Sequence, residues 1–502
     1  MNPDPIIDGS GDASPPVSER RSATWDLRNA VGNYSTLVAA QAVVAVASFA
    51  SVWLITHYLE FDGYGGVVAI IAASQVAQMF VNWTGISLAR HGVEEFVETG
   101  QITESFWART AIFLPNMLIF LALGFLWLPL MAVGLKLPAG SMWYVASLFV
   151  ASSVWLHVQY AMQAAKLPRL QGIMQAAERL LIVTGIGALI VFGRLDGLTA
   201  IGAYIAAPAL MAVVGLFAIR RMFSWKIGFS RESITRLLAF SLPLIPYSLI
   251  GYFSTNYLDA FFISQYLSKE DLGVYSLAYQ MNGIVMQFPL LAGTLLLPLF
   301  VTLRGGGKSE RVTKYLQDVL PLLTFGGALA GVFAAFLMQF FLPLVFGVKA
   351  DGAVIIFWIL ISSAAFAIPT LIGFAPYTNA ISATYIATIL AVVSSAVNLA
   401  ANYLLIPKYG LKGCAWATVL SYGASVIVVI IILRLRFGIR HRWTLPAVLP
   451  VLTASIYASV TGNLGIASIL AIVVAFVIVL IWRKAVMDGV CVLKDSRQFI
   501  SS

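Results

Sequence analysis

Tyr266-Leu-Ser-Lys-Glu-Asp-Leu-Gly-Val-Tyr275-Ser-Leu-Ala-Tyr279 is a short polar turn joining two long apolar runs, and it has a partner upstream. Sliding the chain by 208 positions lays Tyr58-Leu-Glu-Phe-Asp-Gly-Tyr-Gly65-Gly-Val on it without a gap, matching Ile55 to Ile263, Tyr58 to Tyr266, Leu59 to Leu267, Gly65 to Gly273 and Phe80 to Phe288. Both copies fall between the first and second apolar runs of a half, each with an acidic residue before the glycine. The chain therefore reads as a duplication.

Composition sets the class: 60% hydrophobic and 11% charged residues over 502 positions, with a mean hydropathy of +0.89, exclude an ordinary soluble protein. Fourteen apolar runs are long enough to cross a hydrocarbon core about 30 Å thick. They span 33–57, 65–89, 108–134, 142–164, 173–193, 198–219, 237–264, 273–301, 318–346, 352–374, 381–405, 411–433, 445–462 and 464–482. The last two are separated only by Thr461-Gly-Asn463, so a re-entrant hairpin fits the same residues. Residues 1–30 lack the apolar core of a signal peptide and read as a disordered cytoplasmic tail. Two cysteines far apart, Cys414 and Cys491, imply neither a disulfide framework nor a metal cluster, and no cofactor is expected.

Basic residues are retained on the cytoplasmic side of a membrane, which fixes orientation. Most of the 31 lysines and arginines, Arg20, Arg21, Arg90, Arg109, Arg220, Arg221, Arg304 and Arg442 among them, fall at one set of run ends, and only Lys136, Arg194, Lys269, Lys349, Lys408 and Lys412 at the other. Both termini are thus expected in the cytoplasm of a multi-pass protein of the bacterial inner membrane. The net charge of +9 is this pattern and excludes nucleic acid as a partner. An offset spanning six helices returns the second copy in the same orientation, so two parallel six-helix repeats, 31–219 and 237–434, should be related by a pseudo-two-fold along the membrane normal. Gly197-Leu198 and Arg221 echo Gly410-Leu411 and Arg434 at the far end of each half. A basic linker, 220–236, joins the halves; a helix pair, 435–483, and a cytoplasmic tail, 484–502, follow.

Tyr58-Leu59 with Gly63-Tyr-Gly65, Gly85-Ile-Ser-Leu-Ala-Arg90, Asp259 followed by Leu272-Gly-Val-Tyr275, and Ile406-Pro-Lys-Tyr-Gly410-Leu-Lys-Gly413-Cys-Ala415-Trp-Ala417-Thr418 together resemble a known family. It is the polysaccharide-transporter branch (O-antigen and exopolysaccharide flippases) of the multidrug/oligosaccharidyl-lipid/polysaccharide exporter superfamily. The resemblance runs from about residue 30 to 440 through the order and spacing of these motifs. It implies an all-α membrane protein, two six-helix bundles around a cavity, and flipping of undecaprenyl-diphosphate-linked oligosaccharide by alternating access for surface polysaccharide biosynthesis. A polysaccharide polymerase complex is then an expected partner.

Polar groups facing lipid are costly, so those inside the runs are candidates to line a cavity. Gln75, Gln78 and Asn82 recur at helical spacing in the second run, and Ser276, Gln280, Gly283 and Gln287 in the eighth; either set suits hydroxyl-rich sugars or simply bonds neighbouring helices. His157, Gln159 and Gln163 in the fourth run are weighed the same way, with His157 read as a packing histidine. A diphosphate needs cations in its path: Arg179 lies within the fifth run and Arg90 at the end of the second, each with interfacial anchoring as the bland reading. Asp259, with Thr255 and Asn256 one turn back, and Glu178 are the intramembrane acids that a coupling ion would use.

Three patterns mislead. Gly305-Gly-Gly-Lys308-Ser309 lacks the first glycine and the strand of a phosphate loop, Glu60-Phe-Asp62 lacks the outer domain of a membrane glycosyltransferase, and the acids Glu94, Glu95 and Glu104 read as a solvated helix. With no catalytic cluster, the chain is expected to be a transporter and not an enzyme. The rival function is an ion-coupled drug or metabolite antiporter of the same superfamily. Orientation is checked by reporter fusions: those after Arg304 and Arg442 should read cytoplasmic and those after Lys269 and Lys349 external, and an external reading after Arg304 would overturn the topology.

Overall fold

The computed structural model describes residues 17–138, 140–242, 245, 258–305, 309–381, 383 and 385–499. Among them every regular element is a helix: α1 Val17–Asn82, α2 Gly85–Thr99, α3 Thr103–Ala122, α4 Gly124–Gly134, α5 Met142–Ala164, α6 Pro168–Val191, α7 Gly197–Ala218 and α8 Arg231–Ser241 in the first part. The second part continues with α9 Leu258–Tyr266 and α10 Lys269–Gly305, then α11 Ser309–Phe346, α12 Asp351–Ala380, α13 Tyr385–Tyr409, α14 Leu411–Phe437 and α15 Pro446–Thr461, and α16 Leu464–Phe499. Ten helices among the described residues are long and apolar enough to cross a membrane.

The element boundaries differ from the sequence reading in instructive ways. The first two runs meet without a loop: the apolar stretch Val38–Asn82 has 45 residues and comprises two helices joined at a kink. At 1.5 Å per residue the segments on either side of the kink, 38–59 and 61–82, are each about 33 Å long, enough for the stretch to cross a hydrocarbon core twice. Glu60 alone breaks it, at φ 58° and ψ −176°, so no polar loop is needed between the two crossings. The run 108–134 is split at Leu123 into α3 and α4, and Trp127 Nε1 donates to the Phe120 carbonyl at 2.8 Å across the break. Glu94 and Glu95 lie on α2, separate from the second crossing, as a solvated helix should. Residues 17–30 continue α1, where a disordered tail was expected, and residues 1–16 lie outside the described residues. The Gly305–Ser309 loop is described only at its two ends, and most of 243–257, including Thr255 and Asn256, is likewise outside. The last two runs are helices α15 and α16, joined through Gly462 at φ 71°.

Two of the repeat echoes, Gly197 with Gly410 and Gly65 with Gly273, fall at comparable places in the two halves, whereas Arg221 lies beyond the end of α7 and Arg434 within α14. Gly197 opens α7, with Asp196 accepting from the Leu198 and Thr199 amides at 2.8 and 2.7 Å, and Gly410, at φ 58°, caps the start of α14. The pair that decides the architecture is Gly65 and Gly273. A Cβ on Gly65 would lie 1.9 Å from the Lys269 carbonyl oxygen and 3.2 Å from the Gly273 amide nitrogen. A Cβ on Gly273 would lie 2.3 Å from the Phe61 carbonyl oxygen and 3.3 Å from the Gly65 nitrogen. Phe61 and Lys269 are themselves related by the same offset of 208. The contact is therefore reciprocal, as a two-fold requires, and it joins like ends of two parallel six-helix repeats.

Around it the halves are tied by Lys349 Nζ to Glu60 Oε2 at 2.7 Å, by the Trp53 indole donating to the Val345 carbonyl at 3.0 Å, and by Gln265 Nε2 donating to the Gly134 carbonyl at 2.7 Å. The Glu60 hydrogen bond holds the Lys349 ammonium above its usual range. This exposed pair is worth little by itself. The glycine contact is the firmer tie, because a methyl there meets backbone, which has no rotamer to yield. A Glu60→Cys/Lys349→Cys pair should cross-link in the parent, and adding Gly65→Ala or Gly273→Ala should cut the yield sharply, since overpacking of this kind costs about 1–3 kcal/mol. An undiminished yield would show that the halves meet elsewhere.

Candidate functional site

Within the first half, α1, α5, α6 and α7 enclose a cavity of about 460 Å³, inside the range of small-molecule sites. Its polar wall is mostly amide: Gln41, Gln75 and Gln78 from α1, Gln159 from α5 and Gln175 from α6, with Ser74, Ser152, Tyr204 and Trp155 completing it. Three of these amides form a ladder. Gln41 Nε2 donates to Gln175 Oε1 at 3.1 Å, and Gln175 Nε2 donates to Gln159 Oε1 at 3.0 Å, tying α1, α6 and α5 together. Gln78 Nε2 donates to Ser74 Oγ at 3.2 Å one turn back, since residues four apart share a helix face.

Glu178 and Arg179 also line the cavity but have different partners. The Trp155 indole N–H donates to Glu178 Oε2 at 2.7 Å, which orients the carboxylate against the α5 wall. Among the described residues no hydrogen bond or ion pair engages the Arg179 guanidinium. An unengaged planar donor fork in an amide-lined cavity is suited to a phosphate or carboxylate, which it can meet with two parallel hydrogen bonds.

The other candidates lie elsewhere. Arg90 is exposed on α2, 3.9 Å from Glu94, with its guanidinium 4.7 Å over the Phe240 ring. His91 Nδ1 also meets that carboxylate, at 3.0 Å, and holds Glu94 below the usual carboxylate range. Gln280 accepts from the Tyr64 hydroxyl at 3.4 Å, between the halves, and Gln287 and Gln163 are exposed. Asn82 is buried beside the cavity and bonded within the protein, its Nδ2 donating to the Gln78 carbonyl and to Ser153 Oγ, each at 3.2 Å.

The partner of Asn82 is a residue that sequence reasoning placed at a membrane boundary. Arg109 is fully buried in α3, about 9 Å along the helix from Thr103. Its guanidinium donates to Asn82 Oδ1 at 3.3 Å, to Thr84 Oγ1 at 3.4 Å, to the His157 carbonyl at 3.5 Å and to His157 Nδ1. His157 is a packing residue: its ring stacks on Phe113 and its Nε2 lies 3.1 Å from Thr110 Oγ1. Thr103-Glu104 is a legible helix start that would have put Arg109 two turns inside a span.

Asp259 lies in the second half, buried at the start of α9. Tyr275 donates to its Oδ2 at 2.6 Å and Thr418 to the same oxygen at 3.3 Å, while Asn402 Nδ2 donates to Oδ1 at 2.9 Å and to Asn398 Oδ1 at 3.0 Å. Among the described residues, the buried Asn402 Oδ1 has no hydrogen-bond partner. Carboxylate, amide and hydroxyl oxygens from α9, α10, α13 and α14 thus converge, a donor set suited to a proton or a hard cation. Asn398 and Asn402, four residues apart in an apolar run, were the sequence signal for this cluster.

Long apolar helices in two reciprocal halves, with this polar cavity inside the first half and not between the two bundles, are the setting in which the comparisons place a membrane transporter of the multidrug/oligosaccharidyl-lipid/polysaccharide exporter fold. The lipid II flippase MurJ in an inward closed conformation is similar over 89% of this chain and 99% of its own, with a TM-score of 0.66 at 14% identity. An outward-facing multidrug resistance transporter of the same superfamily is similar over 81% of this chain and 95% of its own, with a TM-score of 0.51 at 15% identity. The chain belongs to the polysaccharide biosynthesis protein family, whose model matches residues 30–304, and so to the polysaccharide branch of the superfamily. An uncharacterized membrane protein of Methanocaldococcus jannaschii is 25% identical over 224 residues, 43% of this chain and 43% of the relative's length.

The cavity wall can be tested through its one charge-assisted hydrogen bond. Trp155→Phe keeps the ring and removes the N–H that holds Glu178, and should lower stability by about 1–2 kcal/mol, read as a fall in thermal midpoint in detergent. An unchanged midpoint would mean that Glu178 is oriented by something else.

Proposed function

We propose that the protein is a flippase that carries undecaprenyl-diphosphate-linked oligosaccharide repeat units across the bacterial inner membrane by alternating access. The observation that carries this reading is Arg179, a guanidinium with no hydrogen bond or ion pair among the described residues, in a cavity whose other polar lining is five glutamines, two serines, Trp155, Tyr204 and the Trp155-bonded Glu178. Amides and aromatics suit sugar hydroxyls and sugar faces, and the guanidinium suits a phosphate. Family membership supports a polysaccharide precursor as the cargo, and the charge pattern supports both termini in the cytoplasm.

In this mechanism the chain contributes position and charge. The diphosphate enters from the cytoplasmic leaflet and meets Arg179, the glycan lies along the Gln41–Gln175–Gln159 ladder, and Trp155 keeps the Glu178 carboxylate turned aside. Asp259 is the seat of a coupling cation in the second half, exchanging Tyr275, Thr418 and Asn402 for that ion. The lipid bilayer supplies the path of the polyprenyl tail, and a polysaccharide polymerase complex is the acceptor on the far side.

Arg179→Ala should reach the membrane in normal amounts yet reduce flipping of a lipid-linked oligosaccharide in proteoliposomes by about tenfold or more, with Arg179→Lys intermediate because it keeps charge without the fork. Asp259→Asn should abolish the response to an imposed ion gradient while leaving substrate binding intact. Parental flipping by Arg179→Ala would remove the phosphate assignment. Cation-coupled efflux of an organic cation, dependent on Glu178, would establish the antiporter alternative instead.

A further inference from the structure

Arg109 is a fully buried cation within a span, and among the described residues no carboxylate hydrogen-bonds or ion-pairs with it. Its acceptors are all neutral: Asn82 Oδ1, Thr84 Oγ1 and both a ring nitrogen and the carbonyl of His157. The faces of Tyr160 and Phe113, 5.0 and 5.4 Å away, complete its surroundings. Hydrogen bonds satisfy the donors but leave the charge uncompensated, and a buried cation in that state raises the potential of everything near it. Of the Arg109 partners, Asn82 connects to the cavity wall: its Nδ2 donates to the carbonyl of Gln78, whose residue lines the cavity.

The geometry points to Arg109 as a positioning and specificity residue: from behind the Asn82–Gln78 turn it supplies fixed positive charge that favours the more highly charged of two phosphorylated polyprenyl head groups. It touches no cargo. Its fork pins α3 to the end of α1 and to α5, the two helices that bring Gln78, Trp155 and Gln159 to the cavity, and its unpaired charge selects the anion that enters. This rests on the reading of the cavity as a lipid-phosphate site and goes further, since it assigns discrimination between a diphosphate and a monophosphate to a residue outside the cavity wall.

The test compares binding of undecaprenyl diphosphate and undecaprenyl monophosphate to the full chain in nanodiscs. The parent should prefer the diphosphate. Asn82→Asp places a carboxylate against the guanidinium but gives up the donor that Nδ2 offers the Gln78 carbonyl, so its folding is checked by thermal midpoint, and the folded variant should lose the preference by about tenfold as the added charge cancels that of Arg109. Arg109→Gln should cut it equally, and Arg109→Lys should keep most of it. A purely structural role predicts the opposite pattern: Asn82→Asp neutral in preference, and Arg109→Lys as damaging as Arg109→Gln. If the parent prefers the diphosphate and folded Asn82→Asp prefers it equally, the charge assignment is overturned and the cavity reading stands. If the parent binds neither lipid, both fall.

Discussion

The mutual approach of Gly65 and Gly273 constrains how the two halves can meet. Each lies against a backbone carbonyl of the other half, at positions that are themselves related by the repeat. No side chain can mediate such a contact, and none can relax it, because hydrogen is the only substituent with room. The attraction comes from around the two glycines: Phe61, Tyr64 and Val67 of the first half and Leu272, Val274 and Leu277 of the second are buried in one apolar cluster, and the exposed Glu60–Lys349 pair adds little to it. Hydrogen at both positions is therefore the steric condition under which that apolar packing can form.

That junction also explains how much of the fold was legible. The duplication could be read because the glycines that mark it are required by backbone geometry. Apolar length marked most of the crossings for the equally simple reason that hydrocarbon has a thickness. What escaped were breaks that carry no polar signature. Glu60 turns the chain in one residue, with no loop composition to announce it, and Leu123 ends α3 inside an unbroken apolar run.

The candidate site was legible in part for a related reason. Gln75, Gln78, Gln159, Glu178 and Arg179 could be singled out because polar groups are conspicuous in apolar runs, and the fold brings all five to one cavity. Their partner Gln41 is isolated in its run, and Gln175 stands a turn before Glu178; neither has a spacing that distinguishes a ladder from a helix contact. Arg90 and Gln287 carry the same kind of signal and sit outside, because spacing gives the face of a helix and not what that face meets. Arg109 was missed through its charge: basic residues near run ends are ordinarily interfacial, and only its burial separates it from them.

The interior charges then divide between the halves in a way the duplication does not foretell. The first half buries Arg109 and exposes Arg179 to its cavity, with Glu178 held by Trp155, so its interior carries an excess of positive charge. The second half buries Asp259 among hydroxyls and amides and so carries a negative one. Arg109 and Asp259 are each solvated by neutral dipoles of their own half, which satisfies hydrogen bonding yet leaves the field intact. Burying such charges costs free energy, and an apolar pair of the same volume would hold either half together at least as well. Their retention makes sense if the missing counter-charges are mobile: an anionic head group for the first half and a cation for the second. On the proposed reading, two halves alike in backbone and opposite in interior charge would each present a site for an ion of the other sign, and the duplication supplies the scaffold without dictating the charges it carries.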